Sequence, residues 1–186
     1  MLSAGNYRVS SFLIIRQVRM MELSQKQMTE FFHRSYTAVD GLWFMKVEEK
    51  YGFDVALDID NEVWKVFPKM QARFLKSMVK LTNGVDAFLE CFTTKLALEG
   101  FEFEVEKRSD NGSRINISRC PWHDFLVRSG REALSGKIGA RICSTEYSTW
   151  AAEFDERMQF DSKSRICQGA ERCVLEFSLS PMSFRT

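Results

Sequence analysis

The sequence has little histidine, proline and glycine, and each shortage excludes a class of protein. Only 2 His occur among 186 residues, which excludes a hydrolase whose zinc is held by several histidines. With 3 Pro and 10 Gly, long linkers and disordered tracts are not expected. The formal net charge of +1 provides no electrostatic basis for binding nucleic acid or an anionic membrane. We therefore expect neither nucleic acid nor membrane as a partner.

Long apolar runs are also lacking, so no segment approaches the roughly 20 apolar residues of a transmembrane helix. The apolar run at residues 12–15 is too short for a signal peptide and is followed by Arg16 and Arg19. Residues 1–20 are expected to be a non-essential leader, with Met20 or Met21 as the natural start. An odd count of 5 Cys without a signal peptide favours a reducing cytoplasm over a disulfide framework.

Known catalytic motifs are missing as well. The chain contains no Gly-rich phosphate loop, no Gly-x-Ser-x-Gly elbow and no His-Glu-x-x-His motif. Its hydrophobic content of 45% and its 16 Phe are nevertheless sufficient for a packed core. We expect one α+β domain over residues 21–186, with a helical part at 24–99 and a cysteine-bearing sheet-and-helix part at 100–180.

The helical part is predicted from apolar residues that recur at helical spacing. Ser24 and Gln27 form a capping-box pattern that predicts a helix to about Lys50, ended by Gly52. A short turn or helix follows at 53–57, and Asp60 would cap a second long helix over residues 61–82. Pro68 predicts a kink or interruption within that helix. A third helix is expected from Val85 to Glu99.

The period of the pattern then changes to that of strands. Residues 101–106 alternate apolar and acidic, Asp110-Asn111-Gly112 predicts a hairpin turn, and residues 114–118 form the partner strand. Pro121 opens a helix to about Ser129, and Gly130, Gly136 and Gly139 indicate a loop or broken helix before a further helix at 143–156. Strands are expected at 158–161 and 173–180. The whole predicts a helical half packed on a small antiparallel sheet, with helices on one face.

Four of the five cysteines form the most informative pattern. Cys120, Cys143, Cys167 and Cys173 have the spacing Cys-x22-Cys-x23-Cys-x5-Cys and are expected at junctions between elements. Four thiols suffice for a tetrahedral zinc site or an iron–sulfur cluster. The spacing contains no Cys-x2-Cys pair, so scattered core thiols remain the alternative interpretation.

A resemblance strengthens the metal hypothesis. Four segments resemble an uncharacterised family of anaerobic bacteria and archaea, grouped with L-2-amino-thiazoline-4-carboxylate hydrolases and, more remotely, with 4-vinyl reductase domains. The segments are YTAVDGLWF at 36–44, CPWH at 120–123, ICSTEYSTWA at 142–151 and CQGAERCVLEF at 167–177. The resemblance covers about residues 24–180. It implies an α+β fold, cysteines gathered at one end of the sheet where they bind metal, and a pocket for small ligands.

Zinc and a [4Fe-4S] cluster both suit a cysteine-only site. Should three cysteines coordinate, His123 is the candidate fourth ligand or proton carrier; otherwise it is a surface or capping histidine. Asp40 is a candidate general base, and its alternative is a solvated acid. Glu146 is a candidate base beside Cys143, or else a first-turn acid that complements the helix dipole. The candidate ligand-binding aromatics are Trp43, Trp122 and Trp150, of which Trp43 could equally be a core residue.

The function expected from these residues is a cytoplasmic metal- or cluster-binding protein with a small-ligand pocket. By resemblance, it would hydrolyse a small sulfur heterocycle such as aminothiazoline carboxylate. The alternative is a non-enzymatic sensor or interaction module with a structural metal site. Exposed apolar helix faces are compatible with a homodimer.

Overall fold

The fold was determined as a computed structural model, which describes residues 21–80, 83–109 and 111–181. The expected leader at 1–20, the predicted helix end at Thr82 and the turn residue Asp110 lie outside these residues. No helix of the described residues has the length and apolarity to cross a membrane. The elements are α1 (Gln25–Tyr51), α2 (Phe53–Trp64), α3 (Phe67–Val79), α4 (Val85–Leu98), β1 (Glu102–Ser109), β2 (Gly112–Arg119), α5 (Pro121–Arg128), α6 (Glu132–Phe154), β3 (Met158–Ser164), a 3₁₀ turn (Ile166–Gln168) and β4 (Cys173–Leu179).

The sheet has four antiparallel strands in the order β1-β2-β4-β3. Its central strands carry the apolar residues that face the helices, and Ile115 of β2 lies opposite Leu175 of β4. Both side chains are fully buried. Ser113, Ile115 and Ile117 of β2 are buried at every second position, as expected for the face that the helices cover, and Asn116 between them is buried as well. The predicted hairpin between β1 and β2 is present.

The core lies between this sheet and the helices α4 and α6. Phe88 and Phe92 of α4 stack on each other with ring centroids 5.1 Å apart, and both also contact Phe177 of β4. Trp150 and Phe154 of α6 close the same cluster and are fully buried. Such aromatic contacts stabilise a core beyond the area that they bury. The predicted α+β class, with helices on one face of a small antiparallel sheet, is confirmed.

Helix α1 begins and ends where its sequence predicts. Ser24 caps it, because its Oγ accepts from the Gln27 amide at 3.3 Å while its own amide donates to Gln27 Oε1 at 2.9 Å. Gly52 ends the helix with φ +86°, a conformation that strains any residue with a Cβ.

The prediction of one long helix over residues 61–82 is wrong. Helix α2 already begins at Phe53, because Leu57 and Trp64 lie on one face and are both buried. The chain breaks at residues 65–66, and Pro68 lies in the first turn of α3. Proline is tolerated there because the amide of that position has no partner within the helix. The interruption that Pro68 predicted is therefore a boundary between two helices.

The prediction of a helix that starts at Cys143 is also wrong. Helix α6 runs without a break from Glu132 to Phe154 and includes both Gly136 and Gly139. Cys143 consequently lies in the middle of a helix rather than at a junction. Glycine weakens a helix interior by about 1 kcal/mol relative to alanine, so two glycines normally favour a break. Here a close approach of the chain at Cys167 requires them, as described below.

Candidate functional site

The helices and the sheet enclose a cavity of about 220 Å3. Its walls come from α1, α2, α5, α6 and the inner face of the sheet, and they are largely apolar. An apolar cavity of about 150 Å3 is large enough for benzene. This cavity therefore has room for a small ring with substituents.

All four C-terminal cysteines line this cavity, although they come from four different elements. Cys120 immediately precedes α5, Cys143 is in α6, Cys167 is in the 3₁₀ turn and Cys173 is the first residue of β4. The sulfur of Cys173 accepts a hydrogen bond from the amide of Ile166 at 3.2 Å, which ties the turn to the strand. The fifth cysteine, Cys91, is buried in the core on α4.

Gly139 allows two of these cysteines to approach one another. A Cβ added at Gly139 would stand 2.5 Å from Sγ of Cys167 and 3.8 Å from Sγ of Cys143. The sulfur of Cys167 therefore occupies the space that a side chain on α6 would fill. At Gly136, one turn earlier, an added Cβ would be 3.2 Å from the carbonyl oxygen of Cys167. The two glycines together let the turn pack directly on the helix.

The thiols lie in surroundings that favour their neutral form. Burial raises the pKa of Cys120 to about 12, although the amides of His123 and Trp122 act in the opposite direction. Burial also raises the pKa of Cys143 far above its ordinary value, and the charges of Glu146 and of the other three thiolates add to this effect. These charges can act on one another because all four thiols line the same cavity. A bound cation is the usual way to ionise such buried thiols.

The four sulfurs are not arranged as a finished metal site. Within residues 21–80, 83–109 and 111–181, no three His, Cys, Asp or Glu side chains form a group that could hold a metal ion. The expectation that the cysteines share one region of the fold is met, since all four line one cavity. Binding a single ion would require the side chains to turn toward a common point.

A buried ion triad lies at the wall of the cavity. Lys95 of α4 is paired with Glu146 of α6 and, at 3.0 Å, with Glu99. Burial lowers the pKa of Lys95, but the charges of Glu146 and Glu99 reverse this and raise it. Lys95 therefore stays charged and shares one positive charge between two carboxyl groups. Burial raises the pKa of Glu146 to about 7, although the charge of Lys95 opposes this rise.

Two further carboxyl groups line the cavity from α1 and α2. Burial raises the pKa of Asp40, and burial followed by the charge of Asp40 raises the pKa of Asp60 to about 7. The Trp64 indole donates a hydrogen bond to Asp60 Oδ1 at 3.0 Å, which partly opposes this shift. The cavity therefore combines proton-holding carboxyl groups with thiols.

Several of the predicted site residues meet in this cavity. The described lining includes Asp40, His123, Trp122 and Glu146 together with the four cysteines. His123 Nδ1 is buried and has no hydrogen-bond partner among the described residues. The interpretation of Glu146 as a first-turn acid is wrong, because α6 begins well before it.

Trp43 and Trp150 do not belong to the described lining of the cavity. Trp43 is 61% exposed on α1, beside the part of the helix whose Asp40 and Phe44 line the cavity. Trp150 is fully buried in the core between α4 and α6. Neither can contact a ligand in this cavity, and the alternative prediction that Trp43 is a core residue is also wrong.

Sequence reasoning missed Lys95, Asp60 and Arg165. The burial of Lys95 could have been inferred from the sequence, because Lys95 follows Phe88, Cys91 and Phe92 at helical spacing on one face of α4. Asp60 was interpreted only as a helix cap. Arg165 lines the cavity and donates to Ser144 Oγ at 2.8 Å, a contact between distant parts of the chain that no local pattern indicates.

The comparisons with known proteins give a family but no activity. A family model described as a family of unknown function, DUF6125, matches residues 20–179. No curated protein matches the sequence. The resemblance to aminothiazoline carboxylate hydrolases and 4-vinyl reductase domains consequently stays a prediction.

Proposed function

The chain belongs to the DUF6125 family of unknown function, and from the contents of its cavity we propose that it binds a metal ion or cluster through cysteine and a small ligand beside it. One observation carries the proposal: four cysteines from four separate elements line the same cavity. Cys91 is a buried member of the hydrophobic core, whereas Cys120, Cys143 and Cys173 pack against the edge of that core and also line the cavity. A reducing compartment such as the cytoplasm suits five free thiols.

Zinc or a [4Fe-4S] cluster would be held by Cys120, Cys143, Cys167 and Cys173. The chemistry of the donors supports this, because thiolate is the ligand that both groups prefer. Cys120 and Cys173 lie at the ends of paired strands, and Cys167 lies on the 3₁₀ turn that packs against α6. Burial raises the pKa of Cys167 and of Cys173, and the positive charge of Arg165 opposes this rise, so Arg165 would partly neutralise a thiolate site. A metal held by fewer than four thiolates would offer an open coordination position.

The other residues that line the cavity favour a small ligand with one negatively charged and one positively charged group. Arg165 is suited to a carboxylate, and Asp40 and Asp60 at another wall are suited to an amidine or amine. Aminothiazoline carboxylate has both groups on a five-membered ring, which the cavity volume accommodates. Hydrolysis forms a bond between water oxygen and the amidine carbon of that ring and breaks the bond from this carbon to the ring sulfur. A proton from the water passes to the sulfur, which leaves as a thiol, so the reaction needs a group that accepts and returns a proton. Glu146 lines the cavity and would fill this role, which supports catalysis over a purely structural site.

Metal analysis tests the first part of the proposal. The full chain, purified without oxygen, is expected to contain one zinc, or four irons with a brown visible absorption. Cys143→Ser and Cys167→Ser should lose most of this metal. Cys91→Ala is the matched control, because Cys91 is buried on α4 away from the cavity, and it should retain the metal. Absence of zinc and iron, with all thiols of the folded protein equally reactive, would contradict the proposal.

Turnover tests the second part separately. The metal-loaded chain is incubated with aminothiazoline carboxylate, and loss of the ring is followed by chromatography. We expect Glu146→Gln to keep its metal and lose at least tenfold in rate, since a positioned proton-transfer group contributes about 10²–10⁴-fold. A chain that holds metal and binds this ligand without consuming it would instead be a sensor.

A further inference from the structure

Helix α1 carries a stripe of apolar side chains on its outer face. We call these residues the α1 stripe: Phe31, Phe32, Val39, Leu42 and Trp43. Each is between 53% and 68% exposed. Residues 32, 39 and 42 follow the seven- and three-residue steps by which one helix packs along another. The inner face of the same helix, at Asp40, Gly41 and Phe44, lines the cavity.

The first part of α1 has little support from the rest of the chain. Most side chains of residues 25–35 are exposed, including both phenylalanines. The helix has 27 residues, and a helical segment without tertiary packing is only marginally stable in water. A surface that packs against this segment would supply the missing stabilisation.

The charges beside the α1 stripe are compatible with a second copy of the same surface. Arg34 pairs with Glu30 at 2.6 Å, and Lys46 pairs with Glu49 at 2.8 Å, so the flanks are locally neutral. Two such surfaces brought together do not place like charges against each other. A partner of one charge sign, such as an anionic membrane, gains nothing from these flanks.

Helix α3 carries a comparable apolar row but is unsuited to self-association. Val66, Met70, Phe74 and Met78 are all exposed at four-residue intervals. The helix contains Lys69, Arg73 and Lys76 but no Asp or Glu, and the single carboxylate of Glu153 pairs with both Arg73 and Lys76, so the surface of the helix stays net basic. Two copies of α3 would therefore bring like charges together, which opposes pairing.

The exposed area of the α1 stripe is close to what a stable dimer needs. An aromatic side chain offers about 150–250 Å2, so three that are roughly two-thirds exposed present about 300–500 Å2. Val39, Leu42 and the aliphatic stems of the flanking residues bring this toward the roughly 800 Å2 per partner of a standard interface. Apolar patches of this size mark interaction sites.

We propose that the α1 stripe pairs with the same stripe of a second copy of this chain in a two-fold symmetric dimer. A two-fold axis across the helices makes them antiparallel, and an axis near residue 37 sets Phe32 of one protomer against Leu42 and Trp43 of the other. The N-terminal part of each α1, with its exposed phenylalanines, then covers the apolar residues near the C-terminal end of the partner's α1. Because the inner face of α1 lines the cavity, the dimer also holds one cavity wall in place.

Sedimentation velocity of the full chain tests this proposal. At about 100 μM the wild-type chain is expected to sediment with twice its mass of 21.6 kDa. The double variant Phe32→Glu/Val39→Glu should sediment as a monomer with an unchanged circular dichroism spectrum. Phe74→Glu is the matched control, because Phe74 is equally exposed but lies on α3, and it should remain a dimer. A monomeric wild type, a dimeric double variant or a monomeric control would each overturn the proposal.

A cross-linking experiment keeps the test decisive even if the double variant fails to fold. Ser35 and Ser77 are both exposed, and each hydroxyl donates to a backbone carbonyl of its own helix. Ser35→Cys on the α1 stripe face should give a covalent dimer with a short bismaleimide. Ser77→Cys on α3 should give no more dimer than the wild type. Equal yields from the two variants would refute pairing through α1.

Discussion

Replacing Gly139 by alanine tests the contact that brings Cys167 onto helix α6. The added Cβ would stand 2.5 Å from the sulfur of Cys167, whereas carbon atoms in contact are separated by about 3.5–4.0 Å. The sulfur must therefore move by about 1 Å or more. Overpacking of this kind costs about 1–3 kcal/mol, while the change from glycine to alanine inside a helix gains about 1 kcal/mol. We expect Gly139→Ala to lower the free energy of unfolding by up to about 2 kcal/mol.

A double-mutant cycle isolates the contact with the sulfur. In a Cys167→Ala chain the opposing sulfur is gone, so Gly139→Ala should stabilise by up to about 1 kcal/mol. The coupling energy between the two positions is then about 2 kcal/mol, which is within the range for residues in contact. Urea unfolding gives the free energy of unfolding of the wild type, the two single variants and the double variant. A thiol reductant and a metal chelator in every sample keep the conditions equal for all four chains.

Gly41→Ala is the control for helix propensity. Gly41 is also inside a helix, but a Cβ there would lie 3.6 Å from the ring of Phe125, an ordinary contact. This variant should stabilise the protein by up to about 1 kcal/mol. The reasoning is refuted if Gly139→Ala stabilises as much as Gly41→Ala, or if the effects of Gly139→Ala and Cys167→Ala are additive.

Two further predictions concern buried charges. Lys95→Met leaves Glu99 and Glu146 buried without their cation, so the free energy of unfolding at pH 7, measured by urea titration, should fall by about 3–5 kcal/mol. The control Lys69→Met, at an exposed site, should change the free energy of unfolding by less than about 0.5 kcal/mol. A loss below about 1 kcal/mol for Lys95→Met would contradict the buried triad. The pKa of Asp60 is about 7 in the folded chain, against an ordinary value of 3.8, so the folded state binds the proton of this carboxyl group more tightly than the unfolded state does. Protonated Asp60 therefore contributes to stability below about pH 4, and this contribution is lost as the pH rises toward 7. Asp60→Asn should therefore remove about 1–2 kcal/mol of this decline, after allowance for solvent screening at a half-buried group, while Asp54→Asn at an exposed position of the same helix should leave the pH profile unchanged. Identical pH profiles for Asp60→Asn and the wild type would be inconsistent with burial of that carboxyl group.

The parts of the fold that the sequence predicts well are those set by local interactions. The start of α1 follows from the capping box of Ser24 and Gln27, and the β1–β2 hairpin follows from alternation and a turn at Asn111-Gly112. Helix α6 was mispredicted because glycine locally disfavours a helix. The contact that requires Gly139 comes from Cys167, 28 positions later in the chain.

The sequence predicted the cysteines of the candidate site but not the buried residues that surround and support them. The count and type of the cysteines indicated a shared site, and all four line one cavity. The salt bridge from Lys95 to Glu146 joins residues 51 positions apart, so no sequence window contains both. Trp43 shows the opposite error, because helical spacing groups residues on a face without telling whether that face points inward.

The four cysteines differ in how firmly the backbone holds them. Cys120 directly follows β2 and Cys173 begins β4, and these central strands are paired with each other at Ile117 and Cys173. Cys143 is fixed within a long helix. Cys167 belongs to a single 3₁₀ turn, which is joined to β4 by the hydrogen bond from the Ile166 amide to the Cys173 sulfur. This turn also packs on Gly136 and Gly139 of α6, where the Ser135 hydroxyl donates to the carbonyl of Cys167 at 3.4 Å. If the cavity adapts to different ligands, the movement would therefore occur mainly in this short turn. The amides of the turn should exchange with deuterium fastest when the cavity is empty and more slowly when a ligand or metal is bound.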